Sequence, residues 1–232
     1  MKKILAFVLS IAVVFGMVTT ISACTSETPI VGLICLHDES STYDKNFIDA
    51  FEAACKAKGL KKGQWIIKTG VHEEGSDCKD TAEQFVKLGC KAIFADSFGH
   101  EDYIIQAAKE FPEVQFCHAT GVKAHTENLP NFHNAFASIY EGRYLAGVAA
   151  GLKLQEMIAA NKITDAMKEG ENIKIGYVGA YPYAEVKSGY TSWFLGVRSI
   201  VPNVVMKVKF TNEWYSMEKE LNTANYLISE QH

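Results

Sequence analysis

From Ile30 onward, short apolar runs alternate with stretches whose apolar residues return at helical spacing, and no other feature restricts the fold as strongly. An uninterrupted apolar run suits a strand buried on both faces, and such strands belong to parallel sheets. Ile30–Leu36 is the one continuous run; Gln64–Thr69, Lys91–Ala95 and Val114–His118 read as the next strands, with Phe132–Ala137 as a fifth. Between the first two, Phe47, Ala50, Phe51, Ala54 and Cys55 are spaced as one helical face that ends near Gly59. Thr81–Leu88, stopped by Gly89, and Tyr103–Glu110 are the next helices. Strands separated by helices at these short intervals predict a doubly wound α/β sheet.

A second series begins after the longest predicted helix, Tyr140–Ala159, whose Gly142, Gly147 and Gly151 permit close packing. The polar stretch 161–172 reads as an exposed hairpin or a helix extension. Ile173–Val178, Ala184–Ile200, Val204–Phe210 and a helix from Tyr215 to about Ser229 complete the pattern. The expected organisation is an N-terminal lobe over 30–137, a connecting helix and polar insertion over 138–172, and a C-terminal lobe over 173–232. Two strands and two helices are too few to close a doubly wound lobe, so the second lobe is expected to be incomplete and the sequence truncated.

The N-terminus carries a different message. Lys2 and Lys3 precede fifteen uncharged residues, Ile4–Val18, and Ile21-Ser22-Ala23 leads into Cys24. Positive start, apolar run and small residues describe a secretory signal peptide over 1–23. A Cys directly after Ser-Ala resembles the bacterial lipobox, in which Cys24 would be lipidated and residues 24–29 would form a tether. The alternative is a plain anchor, because Ile4–Ser26 is uncharged and long enough to span. Removing residues 1–23 leaves 21 basic residues against 27 acidic ones. That balance offers no basic field for nucleic acid. With 48% hydrophobic residues and 22% charged, the chain also lies outside the disordered classes.

Four stretches resemble the basic membrane lipoprotein, or purine nucleoside receptor-like, family of ABC transporter substrate-binding proteins. They are Ser41-Thr42-Tyr43-Asp44-Lys45-Asn46-Phe47, Ile93–His100, Tyr140–Gly151 with its Glu-Gly-Arg-Tyr-Leu-Ala-Gly run, and Ile175–Pro182. Phe194–Ser199 and Thr211-Asn212-Glu213-Trp214 extend the match. The resemblance implies a type I periplasmic-binding-protein fold: α/β, with two doubly wound lobes and a ligand cleft between them. It also implies a small ligand, a purine nucleoside or base, an ABC permease as partner, a lipid-anchored extracytoplasmic location, and no enzymatic activity, cofactor or metal.

The same resemblance implies an aromatic clamp of Phe47 and Trp214, one from each lobe, stacked on the purine ring. Read from its position alone, Phe47 could instead face the core. Asp44 is either a carboxylate for the ligand or the cap of the first helix. Asp38, directly after the first strand, is a weaker candidate of the same kind. Tyr43 shares their loop. Ser97, Phe98 and Gly99 follow the third strand, with Gly99 admitting close backbone approach, and Asp96 could touch ligand or cap a helix. Tyr181 and Pro182 would shape the wall of the second lobe.

Competing chemistries find little support in the residues. His118, His125 and His133 lack the spacing of a zinc motif, and no nucleophile elbow or phosphate loop occurs. Five Cys remain after Cys24; Cys35 and Cys117 read as buried, and one disulfide involving an exposed Cys78 stays open. Two alternatives to transport remain: a ligand-sensing lipoprotein that signals to a membrane sensor, and a surface nucleoside-processing enzyme.

Overall fold

Strand β1 (Val31–Ile34) lies between β2 (Trp65–Lys68) and β3 (Ala92–Ala95) in the computed structural model, which describes residues 28–230. Val31 is in register with Trp65 on one side and Ala92 on the other, both parallel. β4 (Gln115–Ala119) and β5 (Phe132–Ala135) extend the sheet, giving the order β2-β1-β3-β4-β5. The crossovers are α1 (Thr42–Ala57), α2 (Asp77–Leu88), α3 (Glu101–Glu110) and the single turn α4 (Ala124–Glu127). This is the doubly wound parallel sheet expected from the alternation.

Its core is built from the strands and the inward faces of the crossover helices. Ile34, Ile93, Ile104, Phe116 and Phe132 are buried with Phe85 from α2. A Cβ on Gly32 would stand 2.3 Å from the Phe85 ring, so the missing side chain in β1 is what lets α2 lie against the sheet. Gly89 ends α2 with φ 108°, a left-handed backbone that glycine adopts without strain.

Two helices begin earlier than apolar periodicity indicates. Ser41 caps α1, so its polar first turn starts at Thr42 and not near Phe47. Likewise α2 opens at Asp77, with Asp77 and Asp80 in the first turn, where acids favour the positive end of the helix dipole. That early start turns Cys78 inward. Expected to be exposed, it is fully buried, and all five cysteines among the described residues are free thiols. Cys24 and the signal peptide lie outside the described residues.

A second compact unit starts at Ala137. α5 (Ile139–Ala159), expected as a connector, packs there against α6 (Ala184–Ile200). Their crossing is set by glycines: a Cβ on Gly147 would lie 2.0 Å from the Trp193 carbonyl oxygen, and one on Gly196 would lie 2.2 Å from that of Tyr144. The polar stretch after α5 takes the hairpin form. β6 (Lys168–Glu169) turns at Gly170, φ 62°, and runs antiparallel to β7 (Asn172–Gly179). β8 (Val204–Phe210) pairs parallel with β7, and α7 (Met217–Glu230) packs on both. Among the described residues this sheet has three strands, in the order β6-β7-β8.

Candidate ligand-binding site

In a sheet ordered β2-β1-β3, the chain leaves β1 and β3 toward opposite sides, and the crevice beyond their carboxyl ends is where open α/β sheets hold ligands. The loops there are 35–41 and 96–100. They are tied together: the Asp96 amide donates to the Ile34 carbonyl at 3.1 Å, and the Leu36 amide donates to Asp96 Oδ1 at 3.3 Å. Tyr43 reaches across from α1 and donates its hydroxyl to the Asp96 carbonyl at 2.7 Å.

At the start of α1, Asp44 is held by its neighbours. Ser41 is the cap residue, with extended backbone and a hydroxyl that accepts from the Asp44 amide at 3.3 Å. Asp44 answers three residues on, accepting from Ser41 Oγ at 2.5 Å and from the His37 amide at 2.9 Å. Its second oxygen also lies 3.3 Å from His37 Nδ1. The Ser41 hydroxyl thus accepts from the Asp44 amide and donates to the Asp44 carboxylate, while the Ser41 amide itself goes to the Asp38 carbonyl at 3.1 Å, so this is an N-cap closed by its own partner and not a capping box. Asp44 is therefore buried and holds the β1–α1 loop in shape. Removing the cap in Ser41→Ala should cost about 0.5–2 kcal/mol of stability, read from denaturant midpoints; an unchanged midpoint would mean the cap contributes nothing.

Around this anchor the aromatic residues are accessible. Phe47 is half-buried while its neighbour Ile48 goes into the core. The Phe47 ring lies 4.9 Å from Tyr43 and 6.0 Å from Phe94, so α1 and β3 together present an aromatic ledge. Asp38 is exposed and accepts from the Ser40 amide at 2.9 Å and from the Ser40 hydroxyl. Those bonds hold its carboxyl below the usual range.

The β3–α3 loop is fixed by Glu73, which sequence reasoning passed over, and by His118, which it weighed only for zinc. Glu73 accepts from the Ser97 hydroxyl and, at 2.7 Å, from the Gly99 amide. A Cβ on Gly99 would stand 2.6 Å from the Glu73 carboxyl carbon, so the close approach this glycine admits is that of Glu73. On the other side His118, fully buried, bonds the Ser97 carbonyl through Nε2 at 2.6 Å, and burial holds its pKa below the ordinary value. Ser97 is thereby buried and Phe98 is left exposed at the rim. Spacing offered no sign of Glu73, which lies in a loop 24 residues from Ser97.

Asp96 neither caps a helix nor reaches solvent. Burial, and then the neighbouring Asp44, push its carboxyl up to about 7. Cys35, also fully buried, has its thiol pushed far above the usual range, first by burial and then by Asp96. Among the described residues, Cys35, Asp44 and Asp96 are the one group whose potential metal-ligating atoms lie close together, within 4.8 Å. The three histidines weighed for zinc are not gathered there; His133, for instance, bonds Gln115 at 2.9 Å.

The second unit has its own aromatic cluster at the carboxyl ends of β7 and β8. Tyr181 stacks on Tyr183 with centroids 5.1 Å apart and meets Trp214 edge-on at 4.9 Å. Trp214 is placed by a turn in which the Thr211 amide donates to Gly179, the Asn212 amide donates to Ala180, and Asn212 has φ 57°. The Thr211 hydroxyl donates to the Glu213 carbonyl at 2.9 Å and completes the turn. Tyr183, missed in the sequence, takes part fully; it sits two residues beyond Tyr181, across Pro182.

The solved structures that the chain superposes on have the type I periplasmic-binding-protein fold, and its sheet order and strand-end loops agree with that class. A solute-binding protein of an ABC transporter system from Conexibacter woesei superposes with a TM-score of 0.61 at 19% identity, covering 87% of this chain and 61% of that one. Residues 32–232 match the family described as ABC transporter substrate-binding protein PnrA-like, and the chain belongs to it. A purine-binding protein of Brucella abortus is 35% identical over 157 residues, covering 68% of this chain and 39% of that one. A Haloferax volcanii protein named as an ABC transporter glucose-binding protein is 34% identical, covering 67% and 34%. The matches thus span under two-fifths of the length of these curated relatives.

Proposed function

We propose that this protein is a lipid-anchored, extracytoplasmic receptor that captures a purine nucleoside or base for an ABC permease. The observation that carries the reading is the pair of accessible aromatic clusters, each at the carboxyl ends of parallel strands in its own unit. Aromatic faces suit a planar heterocycle, and stacking on a base contributes about 1–3 kcal/mol per ring. In this reading Phe47 and Trp214 stack on the ligand, Tyr43, Phe98 and Tyr181 shape the walls, and Asp38 accepts from ligand amines or hydroxyls. Asp44, Ser97 and Gly99 hold the loops that present them. The name of the Brucella relative supports a purine; that of the Haloferax relative makes glucose the rival.

A thermal-shift panel separates the two. Adenine, adenosine, inosine and guanosine should raise the melting temperature and glucose should not; stabilisation by glucose alone would make the site a sugar site. Incubation with inosine should return it unchanged, whereas release of free base would identify a nucleoside-processing enzyme. Among the described residues no helix is long and apolar enough to cross a membrane. Attachment is assigned to Cys24, so Cys24→Ser should move the protein from the membrane to the soluble fraction, and retention at the membrane would favour a spanning anchor.

A further inference from the structure

We propose that Asp96 carries a proton shared with Asp44, and that this proton holds the β1–α1 loop and Tyr43 in the position from which they serve the ligand. The inference rests on the proposed ligand reading only where affinity is the readout.

Both carboxyl groups are buried, with relative exposures of 0% for Asp96 and 1% for Asp44, and their oxygens and Cys35 Sγ fall within 4.8 Å of one another. Their partners are unequal. Asp44 accepts from the Ser41 hydroxyl and the His37 amide, and its Oδ2 also lies 3.3 Å from His37 Nδ1. Asp96 receives one backbone amide on Oδ1, long at 3.3 Å, and the weak Cys35 thiol donor, while its buried Oδ2 has no hydrogen-bond partner. Among the described residues no Lys or Arg pairs with either carboxylate; the groups that face Asp96 are Asp44 from α1, the Cys35 thiol after β1 and the Cys78 thiol from α2. Beyond them lie His100, which burial keeps toward its neutral form, and Glu73.

Two bare carboxylates in such a place repel and lack solvation. One proton on Asp96 turns the pair into an O–H donor facing a carboxylate, and the orphaned oxygen gains its partner. Asp96 is then a positioning residue at the junction of β1 and β3: its carbonyl carries the Tyr43 hydroxyl and its side chain steadies the carboxylate that shapes the loop. The folded state holds this proton at pH values where an unfolded Asp has lost it. Stability therefore falls as pH rises from the ordinary carboxyl range to about 7 and levels off beyond it.

The test compares wild type, Asp96→Asn and Asp96→Ala after chelator treatment, from pH 5 to 9. Asn keeps the donor without the titration. Three readouts are followed: the protonated-carboxyl stretch by infrared difference spectroscopy, the urea midpoint, and adenosine affinity. Wild type should show a carboxyl band at pH 5 that fades through about 7, a midpoint that falls over the same range, and affinity that weakens by up to tenfold per pH unit above it. Asp96→Asn should lose the band, flatten both profiles and bind within about threefold of wild type at pH 5, whereas Asp96→Ala should bind weakly throughout. An Asp96→Asn midpoint profile that tracks wild type, or a wild-type band missing at pH 5 or restored to a different profile by added zinc, would overturn the proposal. If adenosine binds at no pH, the ligand reading fails, and the infrared and urea profiles still decide the proton.

Discussion

Gly147→Ala should destabilise the second unit by about 3 kcal/mol, the upper end of what overpacking costs. The added carbon would stand 2.0 Å from the Trp193 carbonyl oxygen and 3.0 Å from Gly196 Cα. Both are backbone atoms, so no side chain can rotate away. α5 and α6 would have to separate, and the Leu154, Val197 and Val201 core beneath them would loosen. For a chain of this size the loss corresponds to a melting temperature lower by about 6–12 °C. Gly142→Ala, on the same helix with open space around it, supplies the control and should be neutral or stabilising by up to about 1 kcal/mol. Equal melting of the two variants would show that glycine does not set this crossing.

Trp214→Ala should weaken purine binding by about 1–3 kcal/mol, or roughly 5- to 150-fold. The indole is half-buried and already supported by Tyr181 and Tyr183, so it is held in place before ligand arrives. Trp214→Phe should recover most of the loss, because stacking asks for a π face and not for the indole N–H. Phe47→Ala should act similarly in the first unit. Unchanged calorimetric affinity in Trp214→Ala, with the fold intact by circular dichroism, would remove this residue from the site.

The fold class could be read directly because its signal is dense: five short strand-like stretches separated by helical ones became five parallel strands, with the central β1 the most continuously apolar and buried of them. The candidate loops were legible for the same reason, because strand order places 35–41 beside 96–100. Less visible was anything decided by polar contacts between distant residues. Asp44 read as either a ligand carboxylate or a cap, and its contacts make it the partner of the cap at Ser41. Gly99 looked like a gap for ligand and is a gap for Glu73. Cys78 looked exposed because the acidic turn before it hid a helix start, and Asp96, read as a helix cap or a ligand contact, is buried against Asp44 and Cys35. Spacing along a chain reports helix faces and strand alternation; it carries no information about which buried oxygen meets which donor.

The account's central claim is capture of a purine. Calorimetric titration of adenosine and of glucose into the mature protein, expressed with any residues its gene encodes beyond His232, tests it most directly. Saturable one-to-one binding of adenosine with no heat from glucose is the predicted result. Saturation by glucose with none by adenosine, adenine or inosine would contradict it.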